Sequence, residues 1–238
     1  MEDKIQQFKQ LVNKCDNIVF FGGAGVSTES GIPDFRSKDG LYNQQYKYPP
    51  ETILSHTFFM NKTEEFFKFY KLKMNSLKYQ PNITHIKLAE LETKGKLKAV
   101  ITQNIDGLHQ KAGSKVVYEL HGSVLRNYCM NCNKFYDAEY VFNSKGIPRC
   151  SCGGIIKPDV VLYEEGLDEE TIENSTDVIQ KADLLIVAGT SLTVQPASGL
   201  INFFRGRNLV LINRDLTPYD NKANLVINDS LGKVFSNL

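Results

Sequence analysis

The chain has 238 residues, of which 42% are hydrophobic and 23% are charged, and its formal net charge is +1. This composition can bury a substantial core and is unlike that of a disordered chain. The near-neutral charge and the lack of a dense Lys/Arg block argue against nucleic-acid binding. The polar first residues and the lack of a membrane-length apolar run argue against a signal peptide and a membrane span, so we expect a cytoplasmic protein.

Short apolar runs alternate with amphipathic segments along the chain, which is typical of a doubly wound parallel sheet in an α/β fold. The predicted strands are residues 18–21, 99–102, 116–120, 160–163, 184–188, 209–212 and 225–227. The predicted helices are residues 2–15, 64–78, 83–94, 169–181, 196–204 and 230–236. Cys15 falls on the apolar stripe of the first helix, so we interpret it as a core side chain.

The first predicted strand is followed by a glycine-containing segment, residues 23–36, that ends in a polar loop. Closely spaced glycines let backbone N–H groups approach a pyrophosphate, and a helix N-terminus behind them would add favourable partial charge. Thr28 stands where the third glycine of the usual dinucleotide fingerprint would be. Taken alone, the glycines therefore fit a ligand-free turn as well as a nucleotide site.

Two insertions, residues 37–80 and 123–157, interrupt the alternation, and the first carries an aromatic-rich helix that we interpret as core. The second holds the pairs Cys129-x-x-Cys132 and Cys150-x-Cys152 among turn-forming residues, with little regular structure expected. In a cytosolic chain such pairs favour one tetrahedral zinc over disulfides, and four thiolates leave no position for water, so the zinc is structural. The short spacing of the second pair leaves reduced pairs or a disulfide as the alternative.

Polar segments directly follow five of the predicted strands. They are Gly23–Thr28, Thr102–Asp106, His121–Gly122, Gly189–Ser191 and Asn213. Because ligands bind outside the carboxyl ends of parallel strands, we expect these segments to converge on one edge of the sheet. His121 would project from a strand end into that cleft, which favours a functional role over the structural role usual for a single histidine.

These segments resemble, in order and over nearly the whole chain, the motifs of the sirtuins, which are NAD-dependent protein lysine deacylases. Residues 23–36 resemble the sirtuin nucleotide-binding motif, and the match continues at Thr102–His109, His121–Gly122, Gly189–Leu192 and Asn213. The resemblance implies a Rossmann-like NAD-binding domain of residues 1–36, 81–122 and 158–238. It also implies a small helical and zinc-binding domain of residues 37–80 and 123–157, with the active cleft between the two domains.

The resemblance implies a deacetylase reaction in which NAD is consumed as a co-substrate. The acyl-lysine oxygen attacks the anomeric carbon as nicotinamide leaves. His121 is implied as the general base that activates a ribose hydroxyl against the alkylamidate, and its near-neutral unperturbed pKa suits this step. The products are nicotinamide, O-acetyl-ADP-ribose and free lysine. ADP-ribosyl transfer, or removal of other uncharged acyl groups, is the alternative.

The same resemblance implies roles for the residues around the co-substrate. Asp106 would bind the nicotinamide carboxamide, and Asn104 would bind the nicotinamide ribose or an ordered water. Phe35 would cover the ring, while Arg36 would reach the phosphates, where a fixed cation is useful. The remaining implied NAD-binding residues are Gly23, Ala24, Gly25, Thr28, Gln103, Ile105, Gly189, Thr190, Ser191, Asn213 and Ser230.

Residues 160–165 correspond to the Val-x-Phe-Gly-Glu stretch of the family, with Tyr163 and Glu164 in place of Phe-Gly. Such a run can accept an extended acetyl-lysine peptide as an added strand. The implied substrate-binding residues are Val160, Val161, Leu162, Tyr163 and, on the opposite side, Val194. We expect acetylated proteins as partners, no nucleic acid or membrane, and a monomer.

Two features bear on competing activities. Family members that remove succinyl groups resemble one another in a Tyr-x-x-Arg pair, whereas here Tyr42 is followed by Gln45, and no arginine lies between Arg36 and Arg126. We therefore expect an uncharged acyl group, acetyl above all, because a buried unpaired carboxylate is unfavourable. A nucleic-acid-binding zinc ribbon is disfavoured because the strong cations around the cysteines are sparse. They are Arg126, Lys134, Lys145 and Arg149.

Overall fold

The computed structural model describes residues 2–34, Gly40 and residues 46–238. Its α-helices are α1 (Glu2–Lys14), α2 (Pro50–Ile53), α3 (His56–Asn61), α4 (Thr63–Lys73), α5 (Ile83–Thr93), α6 (Leu108–Ala112), α7 (Ala138–Asn143), α8 (Glu169–Lys181) and α9 (Leu231–Phe235). Its strands are β1 (Ile18–Gly22), β2 (Leu97–Thr102), β3 (Val117–Glu119), β4 (Gly122–Cys129), β5 (Phe135–Asp137), β6 (Ile156–Val160), β7 (Leu184–Ala188), β8 (Asn208–Ile212) and β9 (Leu225–Ile227). None of these helices has the length and apolar character needed to span a membrane.

The larger sheet has six parallel strands in the order β3-β2-β1-β7-β8-β9. The chain moves outward from β1 through β2 and β3, and later moves outward on the other side through β7, β8 and β9. The direction therefore reverses between β1 and β7, which pair in register from Ile18 against Leu184 to Gly22 against Ala188. In doubly wound sheets this reversal opens a crevice beyond the carboxyl ends of the strands.

Every residue of β1 is buried, because helices cover both faces of the sheet. Side chains alternate along a strand, so Ile18 and Phe20 enter the core beneath α1, α5 and α9. Val19 and Phe21 enter the opposite core, which includes residues of α8 and of the 3-10 helix Ala197–Phe203. This double coverage explains the continuous apolar run, and it confirms the predicted α/β fold with a parallel sheet.

A smaller unit packs around a three-stranded antiparallel sheet, in the order β5-β4-β6, with α2, α3, α4 and α7. Phe66 and Tyr70 of α4 stack at a centroid distance of 5.5 Å, and both are fully buried. Their cluster also contains Val124 of β4 and Ile156 of β6. The aromatic stripe of the first insertion is therefore core, as predicted.

Several predicted elements differ from the structure. The apolar run 160–163 was predicted to be a strand of the alternating sheet, but the strand is β6, which ends at Val160 and pairs antiparallel with β4. Burial alternates along β6, so one face of this strand is covered rather than both. The second insertion contains two strands and α7 rather than little regular structure. The helix predicted at 196–204 is a 3-10 helix, and α4 ends at Lys73 rather than at residue 78.

Candidate active site

A cleft of about 430 Å³ lies at the reversal of the sheet. The loops that follow β1, β2, β7 and β8 line one side of it, and α4 and residues 160–165 line the other. A second cavity of about 310 Å³ adjoins it and shares Gly25, Gly189 and Asn213 with it. Among the described residues, the polar segments therefore converge on one edge of the sheet, as predicted.

Two glycine turns meet backbone to backbone at the reversal. The Gly25 N–H donates to the Gly189 carbonyl over 2.8 Å, and a Cβ on Gly25 would lie 2.8 Å from the Gly189 Cα. Gly189 itself has a φ of +60°, where a side chain is strained. Behind the first turn, where a helix N-terminus was expected, the chain forms the short 3-10 helices Ala24–Val26 and Thr28–Ser30. The predicted contribution of a helix dipole is therefore small, and backbone N–H groups remain the principal feature of this turn.

A buried hydrogen-bond network joins the loop after β1 to the loop after β2. The Ser27 hydroxyl donates to Asp106 Oδ2 over 2.6 Å, and Asn104 Nδ2 donates to Ser27 Oγ over 3.0 Å. The Leu108 N–H donates to Asp106 Oδ1 over 2.9 Å. Burial raises the pKa of Asp106, while the Ser27 and Leu108 hydrogen bonds act in the opposite direction. The network fixes Asn104 and Asp106 side by side in the cleft lining.

His121 lines the cleft just beyond β3, in the turn that leads to β4. Its Nδ1 lies 2.9 Å from the Gln103 carbonyl oxygen, which can only accept, so the ring carries its proton on Nδ1 and leaves Nε2 unprotonated. Burial lowers the pKa of His121, opposed by this hydrogen bond. The imidazole is therefore neutral at pH 7 and has a basic nitrogen available.

Gln103 has an unused hydrogen-bond donor in the cleft lining. Its Oε1 accepts from the Thr190 hydroxyl over 3.4 Å, but its Nε2 is buried and has no partner among the described residues. A buried donor without a partner is unfavourable, so this atom indicates a missing acceptor. A polar co-substrate would supply one, and the cleft therefore fits the predicted nucleotide.

The predicted NAD-binding residues fall into three groups by position. The first group lines one or both cavities: Ala24, Gly25, Thr28, Gln103, Asn104, Ile105, Asp106, Gly189, Thr190, Ser191 and Asn213. Gly23 is buried against Thr190, and Ser230 lies between two residues that line the second cavity, Asp229 and Leu231. Phe35 and Arg36, together with Tyr42 and Gln45, fall outside the residues that the structure describes.

The segment predicted to bind peptide lines the cleft opposite Val194. Its backbone is already tied to the protein, because Val161 N–H donates to the His121 carbonyl and Tyr163 N–H donates to the Leu54 carbonyl. The Leu162 N–H donates to Glu165 Oε2 over 2.9 Å. An added strand would have to use other backbone groups of this segment.

Glu164 occupies the position where the family has glycine, and its φ is +76°, in the left-handed region. The carboxylate compensates for this strain: its Oε2 accepts a hydrogen bond from the Thr57 N–H over 2.8 Å, near the start of α3. This hydrogen bond lowers the pKa of Glu164. The departure from the family motif thus keeps the turn and adds a contact to the smaller unit.

The four paired cysteines come together at one point of the smaller unit. Their Sγ atoms all lie within 4.8 Å of one another. Cys129 and Cys152 are 3.4 Å apart, and Cys132 and Cys150 are 3.5 Å apart. Zinc bound tetrahedrally at about 2.3 Å per sulfur separates the sulfurs by about 3.8 Å. The four thiols therefore fit one structural zinc, while Cys15 is a buried core residue as predicted.

Two residues of the site were missed by the sequence analysis. Ser27 lies inside the glycine motif, where a small polar residue indicates only a turn. Ser76 comes from the aromatic insertion, and its buried hydroxyl donates to the Asp106 carbonyl over 3.0 Å. No local pattern marks Ser76, because its partner is 30 residues away along the chain.

Comparison with known proteins agrees with this geometry. The model of the Sir2 family matches residues 23–196. The NAD-dependent protein deacetylase of Clostridium perfringens (strain 13 / Type A) is 61% identical over 238 residues, covering 98% of each chain. A solved Sir2 structure with a p53 peptide and NAD+ has a TM-score of 0.87 and 39% identity, covering 98% of this chain and 96% of that one. Another, with 2'-O-acetyl-ADP-ribose and a deacetylated p53 peptide, has a TM-score of 0.86 and 38% identity at the same coverage. Because the family model matches residues 23–196 and a 61% identical relative aligns over 98% of the chain, the chain belongs to the Sir2 family.

Proposed function

We propose that the chain is an NAD-dependent protein lysine deacetylase that forms nicotinamide, O-acetyl-ADP-ribose and free lysine. The observation that carries the proposal is the placement of an imidazole with an unprotonated Nε2 in the cleft that also holds Asn104 and Asp106. The activity named for the Clostridium perfringens relative supports the proposal. So does the acetyl-ADP-ribose in a structural neighbour.

NAD would supply a glycosidic bond that breaks with oxocarbenium character and a ribose hydroxyl that later acts as a nucleophile. His121 would take the proton of that hydroxyl at Nε2, and its lowered pKa keeps it able to do so at neutral pH. The Gln103 carbonyl holds the Nδ1 proton and stabilises the imidazolium that forms.

Asp106 and Asn104 would orient the nicotinamide half. Each carboxylate oxygen of Asp106 accepts one protein hydrogen bond, which leaves acceptor capacity for an amide N–H. The bond from Asn104 to Ser27 fixes the amide beside this carboxylate. The Gln103 Nε2 and the loops at Gly189 and Asn213 would contact the remainder of the dinucleotide.

We propose the domain boundaries predicted above, with the zinc in the smaller unit. The apolar clusters support the division into two domains, since one combines residues of α2–α4 with residues of β4, β5 and β6, and β6 continues this smaller unit past residue 157 to Val160. Cys129, Cys132, Cys150 and Cys152 would bind the zinc, whose role is to hold the turn that follows β4 against the turn that precedes β6.

The remaining proposals concern partners and location. We propose acetyl-lysine proteins as substrates, a monomeric cytoplasmic protein, and no nucleic-acid partner. Two of the cations near the cysteines support the last point. Arg126 is paired with two carboxylates, and Arg149 Nη1 donates to the Gly153 carbonyl. Neither guanidinium is fully available to bind a phosphate.

The proposal is tested with an acetyl-lysine peptide and NAD labelled in the adenosine half. We expect label in a small-molecule O-acetyl-ADP-ribose and a deacetylated peptide that appears only with NAD. Label on protein would instead indicate ADP-ribosyl transfer. A succinyl version of the same peptide should have a lower kcat/KM than the acetyl version.

The role of His121 is tested by His121→Ala. We expect deacetylation to fall by about two to four orders of magnitude, since a positioned general base contributes that much. Nicotinamide exchange precedes the proton transfer, so it should fall less, and NAD binding by calorimetry should persist. Near-normal deacetylation by this variant would contradict the assignment.

A further inference from the structure

We propose that Arg126 is a positioning residue that holds the His121 segment against the peptide-binding segment. The inference rests on the proposed deacetylase function. Arg126 lies on β4, and its Nη1 is 2.6 Å from Glu119 Oε2 while its Nε is 2.7 Å from Asp159 Oδ2. Glu119 ends β3, two residues before His121, and Asp159 directly precedes Val160. One guanidinium thus joins the strand that carries the base to the strand that leads into the substrate segment.

The backbones of these two segments touch at the site. The Val161 N–H donates to the His121 carbonyl over 3.0 Å. Gly122 has a φ of +72°, and a Cβ there would lie 2.0 Å from the Asp159 carbonyl oxygen. The position of the imidazole and the position of the peptide-binding segment are therefore coupled through a contact that tolerates no side chain.

The strand ladder is interrupted next to this contact. Gly122 and Ser123 pair with Val160 and Asp159, but the next pair is Asn127 with Pro158. Residues 124–126 therefore leave the ladder between β4 and β6, although Arg126 still pairs with Asp137 of β5, and the Val124 N–H donates to the Ile105 carbonyl in the nucleotide-binding loop. Across this interruption, the Arg126 side chain supplies a charge-assisted hydrogen bond to Asp159 of β6.

Arg126, Glu119 and Asp159 form a charged triad, and the chemistry of this triad favours arginine over other cations. Glu119 has only 8% of its side chain exposed, so its charge needs a partner. Burial opposes the charged guanidinium, but the hydrogen bonds that it donates to Glu119 and Asp159 raise the pKa of Arg126. A planar guanidinium reaches two carboxylates in fixed directions, whereas a lysine ammonium is a single flexible point charge. None of these three side chains lines the cleft, so any effect on catalysis passes through their neighbours.

The test compares Arg126→Met, Arg126→Lys and the control Arg205→Met, which removes an exposed guanidinium that donates to the Asn202 and Phe204 carbonyls. For Arg126→Met we expect kcat/KM for the acetyl-peptide to fall about 10- to 100-fold, because a small displacement of a catalytic group from its productive position has an effect of this size. KM for NAD should stay within about twofold, because the hydrogen bonds that link this region to the nucleotide-binding loop, Val124 N–H to the Ile105 carbonyl and His121 Nδ1 to the Gln103 carbonyl, do not involve the three charged side chains. Arg126→Lys should restore part of the loss, and Arg205→Met should match the wild type.

Two further variants separate the contributions of the two carboxylates that Arg126 binds. Asp159→Asn should raise mainly KM for the peptide, whereas Glu119→Gln should lower mainly kcat. If Arg126→Met folds poorly because Glu119 is left as an unpaired buried charge, the double variant Arg126→Met/Glu119→Gln removes that charge. Kinetic constants of these folded variants equal to those of the wild type would overturn the proposal, as would equal changes in kcat and both KM values.

Amide hydrogen exchange gives a readout that does not require activity. In Arg126→Met the Val161 amide should exchange about tenfold faster, while amides of β8 and the zinc content stay unchanged. Unchanged exchange at Val161 would overturn the inference whatever the kinetics. A wild-type protein that fails to release nicotinamide would refute the proposed function and, with it, the positioning role of Arg126 in catalysis. Faster exchange would then still establish the physical link between the two segments.

Discussion

The two walls of the cleft are held in place in different ways. On the nucleotide wall, the turns at Gly25 and Gly189 pack backbone against backbone, and a Cβ on either residue would collide. On the peptide wall, residues 160–165 are held by distant partners, including the Thr57 N–H and the Arg126 guanidinium through Asp159. The first wall requires two positions without side chains, whereas on the second wall side-chain contacts add to the backbone hydrogen bonds of Val161 and Tyr163. Substitutions should therefore affect the two walls differently.

Removing zinc should break the peptide wall alone, and this is the largest effect that we expect. Structural zinc binding contributes about 10–16 kcal/mol in small domains, so its loss should unfold the smaller unit. Chelation, or Cys150→Ser, should abolish deacetylation while the amides of β1 and β7 keep their protection from exchange. Cys15→Ala is the control, since Cys15 lies outside the cysteine cluster. Elemental analysis of this variant should still find one zinc per chain. Protein without zinc that retains full activity would contradict the prediction.

Acid should weaken the structure behind the nucleotide wall. The rings of His85 and His109 are buried 4.7 Å apart, and the His109 ring also faces Phe20 of β1. Burial lowers the pKa of His85 to about 4 and also lowers the pKa of His109. Both are neutral in the folded protein, whereas the unfolded chain takes up their protons below a pKa near 6.5.

The free energy of unfolding should therefore fall as the pH drops from about 6.5 towards 4, by about 3 kcal/mol for His85 alone. Above pH 6.5 these two groups should contribute no pH dependence. Urea unfolding at pH 7, 6 and 5 measures this change. His85→Gln should reduce the slope, and an unchanged slope in that variant would exclude His85 as its source.

Gly25→Ala should damage the nucleotide wall and leave the peptide wall intact. The added methyl group meets backbone atoms of Gly189, which cannot rotate away, so we expect a loss of about 1–3 kcal/mol in stability. KM for NAD should rise while KM for the peptide stays nearly constant. Gly166→Ala is the matched control, because nothing lies within 4 Å of a Cβ at Gly166. Equal changes in the two KM values would show that the walls are not independent.

Glu164→Gly should change the free energy of unfolding least among these variants, because two contributions to stability oppose each other. Glycine relieves the left-handed strain, and it also removes the hydrogen bond that Glu164 accepts from the Thr57 N–H. Glu164→Gln keeps the acceptor and the strain, so its thermal midpoint should match the wild type. A loss of more than about 2 kcal/mol in Glu164→Gly would show that the carboxylate does more than compensate for the turn.

Local patterns predicted most of the nucleotide wall but less of the peptide wall. The apolar run at β1 and the glycines after it lie next to each other in the sequence, so strand, turn and cleft could be predicted together. The position of β6 was predicted wrongly because Val160 and Leu162 are apolar for packing into the core of the smaller unit, not for filling the larger sheet. The contacts of Ser76 and Arg126 join residues that no periodicity relates. The roles of the individual site residues stay predictions.

The meeting of Gly25 and Gly189 also bears on how such an enzyme can diversify. A surface made of backbone has no side chains to exchange, so few mutations can alter which co-substrate binds there without disrupting the turn itself. The opposite surface is made of exchangeable groups such as Tyr163 and Glu164, each carried on an exposed loop. A descendant could therefore acquire new protein targets while its dependence on the same dinucleotide is inherited unchanged.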